Sequence, residues 1–430
     1  MTNFEFPYSK DEWINKYDMC VENYHKHTMW SNFFQIDSTT SLEQMIQKID
    51  ERHGTMLFSG EHGFQNEWLK VWDLCKQTYN EDFRNKLGIH NPIKFRYSAE
   101  IYWVKNPDPE LKDPTNCHMV VVARTEKGIR QLNYLISEAN EYGYYYRPRV
   151  GLDQILKLDP KDVYITSACL AGHKYEDSDD IWLRIADHFG DSFFFEYQAH
   201  KTEKQKWLNA HLYDLSRTHG INTIIGLDTH YINNEDRIKR DNLLKRHGIH
   251  YEDEEGWYMD YPTGEELYQR MIDQNVLPKD EIMRSMMNTH VFRDGCEEFD
   301  YDTGFKIPIL DEYKNLSYEE RASELSKILN TEYLKEPQSQ ERKDGIAYEF
   351  GQIKDSQTAD YFLDNYRIIK NAIDNHGGQL TTTSRGSAAS YYCSKLCGFT
   401  TIDRFNVEVP IYPERFITKE RILSAHQMPD

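Results

Sequence analysis

Up to about residue 250 the chain alternates strand-like apolar runs with amphipathic helical stretches, and this alternation limits the folds open to it more than any other feature. The strand candidates are GTMLFSGEHG, IKFRYSAEIYWV, CHMVVVARTEKG, DVYITSACLAG, SFFFEYQAH and NTIIGLDTHY, each closed by polar or small residues. Between them lie SLEQMIQKIDER, GIRQLNYLISEAN and EKQKWLNAHLYDLSRTHG, with apolar residues at helical spacing. Strand and helix in turn predict a parallel α/β sheet, open or closed into a barrel, with its chemistry at the C-terminal ends of the strands. From about 260 to 375 the pattern becomes mostly helical, as in TGEELYQRMIDQ and SYEERASELSKILN. At about 150 residues per domain, 430 residues allow two or three. The boundaries read from the pattern are 1–258, 259–375 and 376–430.

A formal charge of −20 speaks against nonspecific polyanion binding by the whole chain, since phosphate contacts need Lys and Arg. Residues 381–430 differ, with six Lys and Arg against five Asp and Glu. No apolar run approaches the roughly 18 residues of a membrane span. The start, MTNFEFPYSKDEW, has the shape of no export signal. Seven cysteines without a Cys-x-x-Cys do not resemble a disulfide framework, so a reducing cytoplasm is expected.

Ligand-type residues gather at the strand ends. His25 and His27 flank one lysine, and in extended backbone residues i and i+2 share a face. Asp37, His62, Glu100, His118 and Cys169 follow, and Asp228-x-His230 repeats the same-face spacing. Imidazole, carboxylate and thiolate are ligands of Zn, Mn or Fe. Each residue alone also fits a plain role, His118 as a core histidine with its bonds satisfied and Cys169 as a small buried hydrophobe.

These residues are laid out in a way that resembles the PHP (polymerase and histidinol phosphatase) domain, a distorted β/α barrel. HMVVVARTEKGIRQLNYLISEANEYGYYYRPRV, ITSACLAGH and LDTHYINNEDRIKRDNLL resemble its version in family C replicative DNA polymerases, the polymerase III alpha subunits. The resemblance implies that the nine residues hold up to three Zn²⁺ or Mn²⁺ ions and implies a 3′–5′ proofreading exonuclease. The alternatives are a stand-alone PHP phosphoesterase and a non-catalytic scaffold around a structural cluster. The family's Asp-His-Gly reads Glu61-His62-Gly63 here.

Further on, SRGSAAS, GFTTID, PERF and MPD resemble the palm signature of the same family. A Gly-Ser turn opening a helix offers backbone N–H groups to phosphate. The resemblance implies a polymerase-beta-like nucleotidyltransferase palm, preceded by a helical thumb. Arg385, Gly386, Ser387, Arg415 and Arg421 would hold the triphosphate, and Asp430 would be the first catalytic carboxylate for Mg²⁺. The implied partners are primer-template DNA, deoxynucleoside triphosphates and a sliding clamp. A second polypeptide or C-terminal remainder is expected to complete the polymerase site, because Asp430 is the last residue. The departures from the usual motifs suggest a phage source.

Overall fold

A computed structural model of the chain describes residues 4–33, 35–251, 254–304, 306–380 and 386–425, with 423–425 as backbone only. Two compact units emerge, Met1–Asp300 and Tyr301–Asp430.

In the first unit every apolar run noted above becomes a strand. These are β1 (Met56–Phe58), β2 (Lys94–Arg96), β3 (Ser98–Trp103), β4 (Cys117–Ala123), β6 (Val163–Thr166), β7 (Phe193–Tyr197) and β8 (Asn222–Ile225); the two-residue β5 (Arg149–Val150) had no signal of its own. One sheet has the order β5-β3-β4-β6-β7-β8, and β1 pairs with β2. The expected parallel sheet needs one correction, since β4 runs antiparallel to both β3 and β6. The 104–116 link carries Pro107, Pro109 and Pro114 and only a three-residue 3-10 turn, Pro109–Leu111. Without a crossover helix the chain turns straight back, and adjacent strands so joined pair antiparallel.

The ring closes through short contacts rather than full strands. Beyond β1, Ser59 N–H donates to Arg96 O (2.9 Å) and Gly63 N–H to Glu100 O (2.7 Å), bringing that segment beside β3. Beyond β8, Thr229 bridges Lys26 in parallel, with His27 N–H donating to Thr229 O at 2.7 Å. Lys26 Nζ then reaches Ser59 O at 3.0 Å. The result is a distorted barrel.

Its interior has two layers. Val120 and Val122 of β4, Phe194 of β7, Phe58 of β1 and Ile224 of β8 form an apolar cluster with Tyr24, stoppered by Phe292 from the helix Thr289–Asp294. Side chains two residues apart on a strand share a face. His118 therefore points the same way as Val120, and Glu196 the same way as Phe194. Because β4 is reversed, its first residues stand at the rim where the other strands end. His118 thus joins the polar layer from a strand's beginning, where a strand end was expected.

Amphipathic helices cover the outside. Leu42–Glu51 starts with a Ser41–Gln44 capping box and buries Met45, Ile46 and Ile49. Glu126–Glu141 is capped by Thr125 and passes the start of β6 closely enough that a Cβ on Gly128 would lie 2.0 Å from Asp162 O. The helices Gly264–Gln274 and Lys279–Met287 belong to this unit. Leu267, Met271, Ile282 and Met286 are in the barrel's outer core, and Glu281 accepts a bond from Thr223 Oγ1 of β8 at 2.6 Å. The division at Asp300 thus differs from the boundary at 258 read from the loss of strand pattern, because these helices bury their apolar faces on the barrel.

The second unit is helical, with no strand among its described residues. Tyr318–Tyr333, Gln340–Asp355 and Ala359–His376 pack Leu325, Leu329, Ile353, Phe362 and Leu363 against Tyr391 and Phe416. No described helix of the chain is long and apolar enough to cross a membrane.

Candidate metal centre

The polar layer of the barrel is assembled around Glu100. His25 and His27 project inward to Glu100, while Lys26 between them turns away to pair with Glu61 at 2.7 Å. Glu100 Oε1 lies 3.6 Å from His25 Nε2 and 2.6 Å from His118 Nδ1; Oε2 lies 3.3 Å from His27 Nε2 and 2.5 Å from His62 Nδ1. Asp228 Oδ1 sits 3.4 Å from His25 Nε2 and 3.3 Å from His27 Nε2. Asp37 Oδ2 sits 3.2 Å from His62 Nε2 and 3.4 Å from His230 Nε2. Cys169 Sγ is 3.6 Å from His118 Nδ1.

All nine residues singled out in the sequence are therefore in one place. Seven of them fall into three overlapping groups whose ligand atoms lie within 4.8 Å of one another: His27, His62 and His230; His25, His27 and Glu100; Glu100, His118 and Cys169. Asp228 follows β8 with φ of +49°, a left-handed conformation that Asp tolerates better than most residues.

The residues fit metal ions on a structural criterion. Both Glu100 oxygens, His25 Nε2, His27 Nε2, His62 Nδ1 and Asp37 Oδ1 are buried and make no well-aligned hydrogen bond, the close approaches to Glu100 coming from imidazoles. Burying such atoms unpaired costs about 1–3 kcal/mol each, more where charge is involved, so the arrangement calls for a cation.

Electrostatics say the same. Burial opposes charge on Glu100 and Asp37, yet the surrounding histidines hold both carboxyls well below the usual carboxylate range. Burial pulls His62 down, but Asp37 and Glu100 outweigh it and lift the imidazole to about 10. His27 goes the other way, to about 4, through burial and the neighbouring His62. Burial pushes the Cys169 thiol well up, with Asp228 and Glu100 adding to it.

Supporting groups escaped the sequence reading. Glu196 Oε1 lies 2.7 Å from His25 Nδ1, and its other contacts are Tyr24 Oη (2.9 Å), Thr166 Oγ1 (2.8 Å) and Gln198 Nε2 (2.9 Å). It is the only charged residue in FFFEYQA, a signal that could have been used. Glu61 accepts bonds from Thr28 N–H (2.9 Å) and from Ser31 Oγ, and Ser31 Oγ lies 3.3 Å from His27 Nδ1. Arg240 donates to Asp37 O at 2.7 Å while paired with Glu254. Such outer groups orient metal-binding imidazoles and set their tautomers.

The second group of candidate residues is described only in part. Arg385 and Asp430 lie outside the described residues. Gly386 has φ of +80°, and Ser387 O accepts from Ser390 N–H at 3.0 Å. The helix expected after them is a 3-10 turn, Ala388–Ser390, followed by the five-residue Tyr392–Leu396. At that helix's start the Cys393 N–H is already taken by the buried Glu349 carboxylate at 2.8 Å. Arg415 and Arg421 are exposed neighbours, with Arg421 Nη1 donating to Arg415 O at 3.0 Å.

Comparison with known proteins places both units. The profile described as a PHP domain matches residues 23–200, and that of the bacterial DNA polymerase III alpha NTPase domain matches 317–430. The chain is 28% identical to DNA polymerase III subunit alpha of Borreliella burgdorferi, over 93% of this chain and 34% of the relative. With the same subunit of Chlamydia muridarum it is 26% identical, over 93% of this chain and 36% of the relative. With the DNA-directed DNA polymerase of Bacillus phage SPbeta it is 23% identical, over 92% of this chain and 35% of the relative. The chain spans about a third of the length of these curated relatives. With a PHP-domain match in its first unit and an NTPase-domain match in its second, the chain is similar along most of its length to DNA polymerase III alpha subunits.

Proposed function

We propose that the chain serves a replicative DNA polymerase, and that its barrel centre is a metal-dependent phosphodiesterase removing nucleotides from DNA 3′ ends. One observation carries the reading: a single buried carboxylate, Glu100, stands within 3.6 Å of four histidines whose inward nitrogens include three without a hydrogen-bond partner. His25, His27, Asp37, His62, Glu100, His118, Cys169, Asp228 and His230 would hold up to three Zn²⁺ or Mn²⁺ ions. Bound there, the ions supply Lewis-acid activation of water and of the phosphodiester.

The chain's own residues keep that site in order. Glu196 holds His25 by Nδ1 and so turns Nε2 inward. The Glu61–Ser31 pair does the same for His27. In the second unit Gly386 and Ser387, with Arg385, Arg415 and Arg421, would face a nucleoside triphosphate, and Asp430 would contribute to a Mg²⁺ site. Primer-template DNA is the proposed substrate of the whole polymerase, in the cytoplasm, with a clamp and further polypeptide as partners.

The test is release of nucleotides from 3′-labelled single-stranded and mispaired DNA with Mn²⁺ or Zn²⁺. His25→Ala and Asp228→Ala should each abolish it. Activity surviving both changes would place the chemistry elsewhere. A purely structural cluster is the second reading, supported by the depth of the residues, none more than 8% exposed. Full metal content with no hydrolysis would select it.

A further inference from the structure

We propose that a cleft beside the metal centre is a stacking site for the base of a nucleotide at a single-stranded DNA end. The inference rests on the phosphodiesterase reading for its substrate class, and on separate residues for its chemistry. The cleft, about 840 Å³, is lined by two indoles, Trp207 and Trp257, with Leu170 and Leu208. It falls in the size range of ligand sites and is largely apolar, as those sites are. It adjoins the centre through the chain itself, since Leu170 is the residue after Cys169. On another wall Trp257 stacks on His200, with centroids 4.5 Å apart and planes 16° apart. His200 is buried, and the charges of Asp228, His230 and His25 act on its ring.

Trp207 is 64% exposed on the helix Glu203–His219, a costly place for an indole that has nothing to cover it. It stacks on His211 at 4.9 Å with planes 10° apart, which holds the ring in one orientation. His173 adds an unpartnered polar group to the lining, because its Nε2 is buried with no hydrogen-bond partner. The cleft's two carboxylates, Glu203 and Glu255, outnumber its one cation, Lys204, and this balance opposes a phosphate inside it. A neutral base has no such conflict and offers a ring face to the indoles, while its own phosphate is left for the metal centre. Stacking of this kind is tolerant of sequence and needs an unpaired strand.

The test uses the full chain in chelator, so that binding is read without hydrolysis. Titration with a short oligothymidylate, followed by tryptophan fluorescence, is expected to show quenching in the wild type. Trp207→Ala and Trp257→Ala should each weaken binding about tenfold, with Trp→Phe at the same positions restoring most of it. An abasic oligomer of equal length should bind weakly to wild type and be indifferent to both changes. Equal affinity in all variants, or no binding by the wild type, would overturn the proposal, as would equal losses for the abasic strand. Wild type that binds the oligomer but cleaves no DNA with metal would remove the phosphodiesterase reading and leave the stacking site standing.

Discussion

The two units solve the problem of a folded interior in opposite ways. The barrel carries its polar groups inward, with seven imidazole, carboxylate or thiol side chains in three overlapping groups at one rim. The helical unit buries rings and aliphatic chains, with Glu349 as the most deeply buried charge in its described part, at 0% exposed. That carboxylate is fully engaged, by Arg404 Nε at 2.7 Å and Cys393 N–H at 2.8 Å. In the barrel Glu100, 1% exposed, has only histidine nitrogens around its two oxygens. A satisfied buried charge is structural; one that faces only ligand-type atoms is unfinished until a cation arrives. The difference separates a scaffold from a site.

The comparison is broken most directly by removing metal. At free metal a thousand times its dissociation constant, binding adds about 4 kcal/mol to a folded state, and several ions add more. Calorimetry of the full chain with and without chelator should therefore show a large fall in one unfolding transition. Identical traces in metal-replete and chelated samples would mean the barrel's polar layer stands without ions.

Glu100→Gln is the next largest. The amide keeps the volume but offers the four histidines only one acceptor and no charge. Elemental analysis should show the loss of at least one metal ion per chain. Removing one partner from a buried ionic network typically costs about 3–5 kcal/mol. Full metal content in this variant would mean that the ions are held without the Glu100 carboxylate.

Glu349→Ala probes the other side. It leaves the guanidinium of Arg404, the Cys393 N–H and the space of the side chain uncompensated, for a loss of about 2–4 kcal/mol. Metal content should stay at the wild-type level. A loss of metal on this change would show that the two interiors depend on one another.

What could be read beforehand follows from the same contrast. Ligand residues announce themselves by type and spacing, as with His25-x-His27 and Asp228-x-His230, although Asp228 is left-handed rather than extended. The strands were visible for a related reason: β3 and β4 are buried on both faces and read as mainly apolar runs, interrupted by Glu100 and His118. The reversal of β4 was hidden, because direction depends on what the 104–116 link does in space, and short turns and helical crossovers differ little in composition. Glu196 was hidden as well. A carboxylate that orients a histidine 171 positions away carries no mark of its partner in sequence. The phosphate-binding helix expected after Gly386 proved to be five residues long with its first free N–H occupied, a tertiary contact that no local pattern encodes.

The smallest effect sharpens the contrast from within the helical unit. Asp364 lies one turn after Asp360 on the helix Ala359–His376, and Asp360 is already committed to Arg321 through bonds of 2.6 and 3.0 Å. Burial, and then the charge of Asp360, push the Asp364 carboxyl up to about 6. Its Oδ1 has no hydrogen-bond partner. In the unfolded chain it titrates near 3.8. As pH rises through the interval between these values, the unfolded state loses its proton first, so ionisation favours unfolding and stability falls. Asp364→Asn removes that penalty. The variant should match wild type below about pH 4 and gain progressively up to about pH 6, levelling off above. Because the group is partly exposed, solvent screening limits the gain to about 1 kcal/mol or less, a rise of a few degrees in the transition of this unit. A stability difference that stays constant from pH 3.5 to 7.5 would mean that Asn acts through the helix itself. Asp364 would then be an ordinary surface carboxylate, and the helical unit would hold no unsettled charge among its described residues to set against the barrel's many.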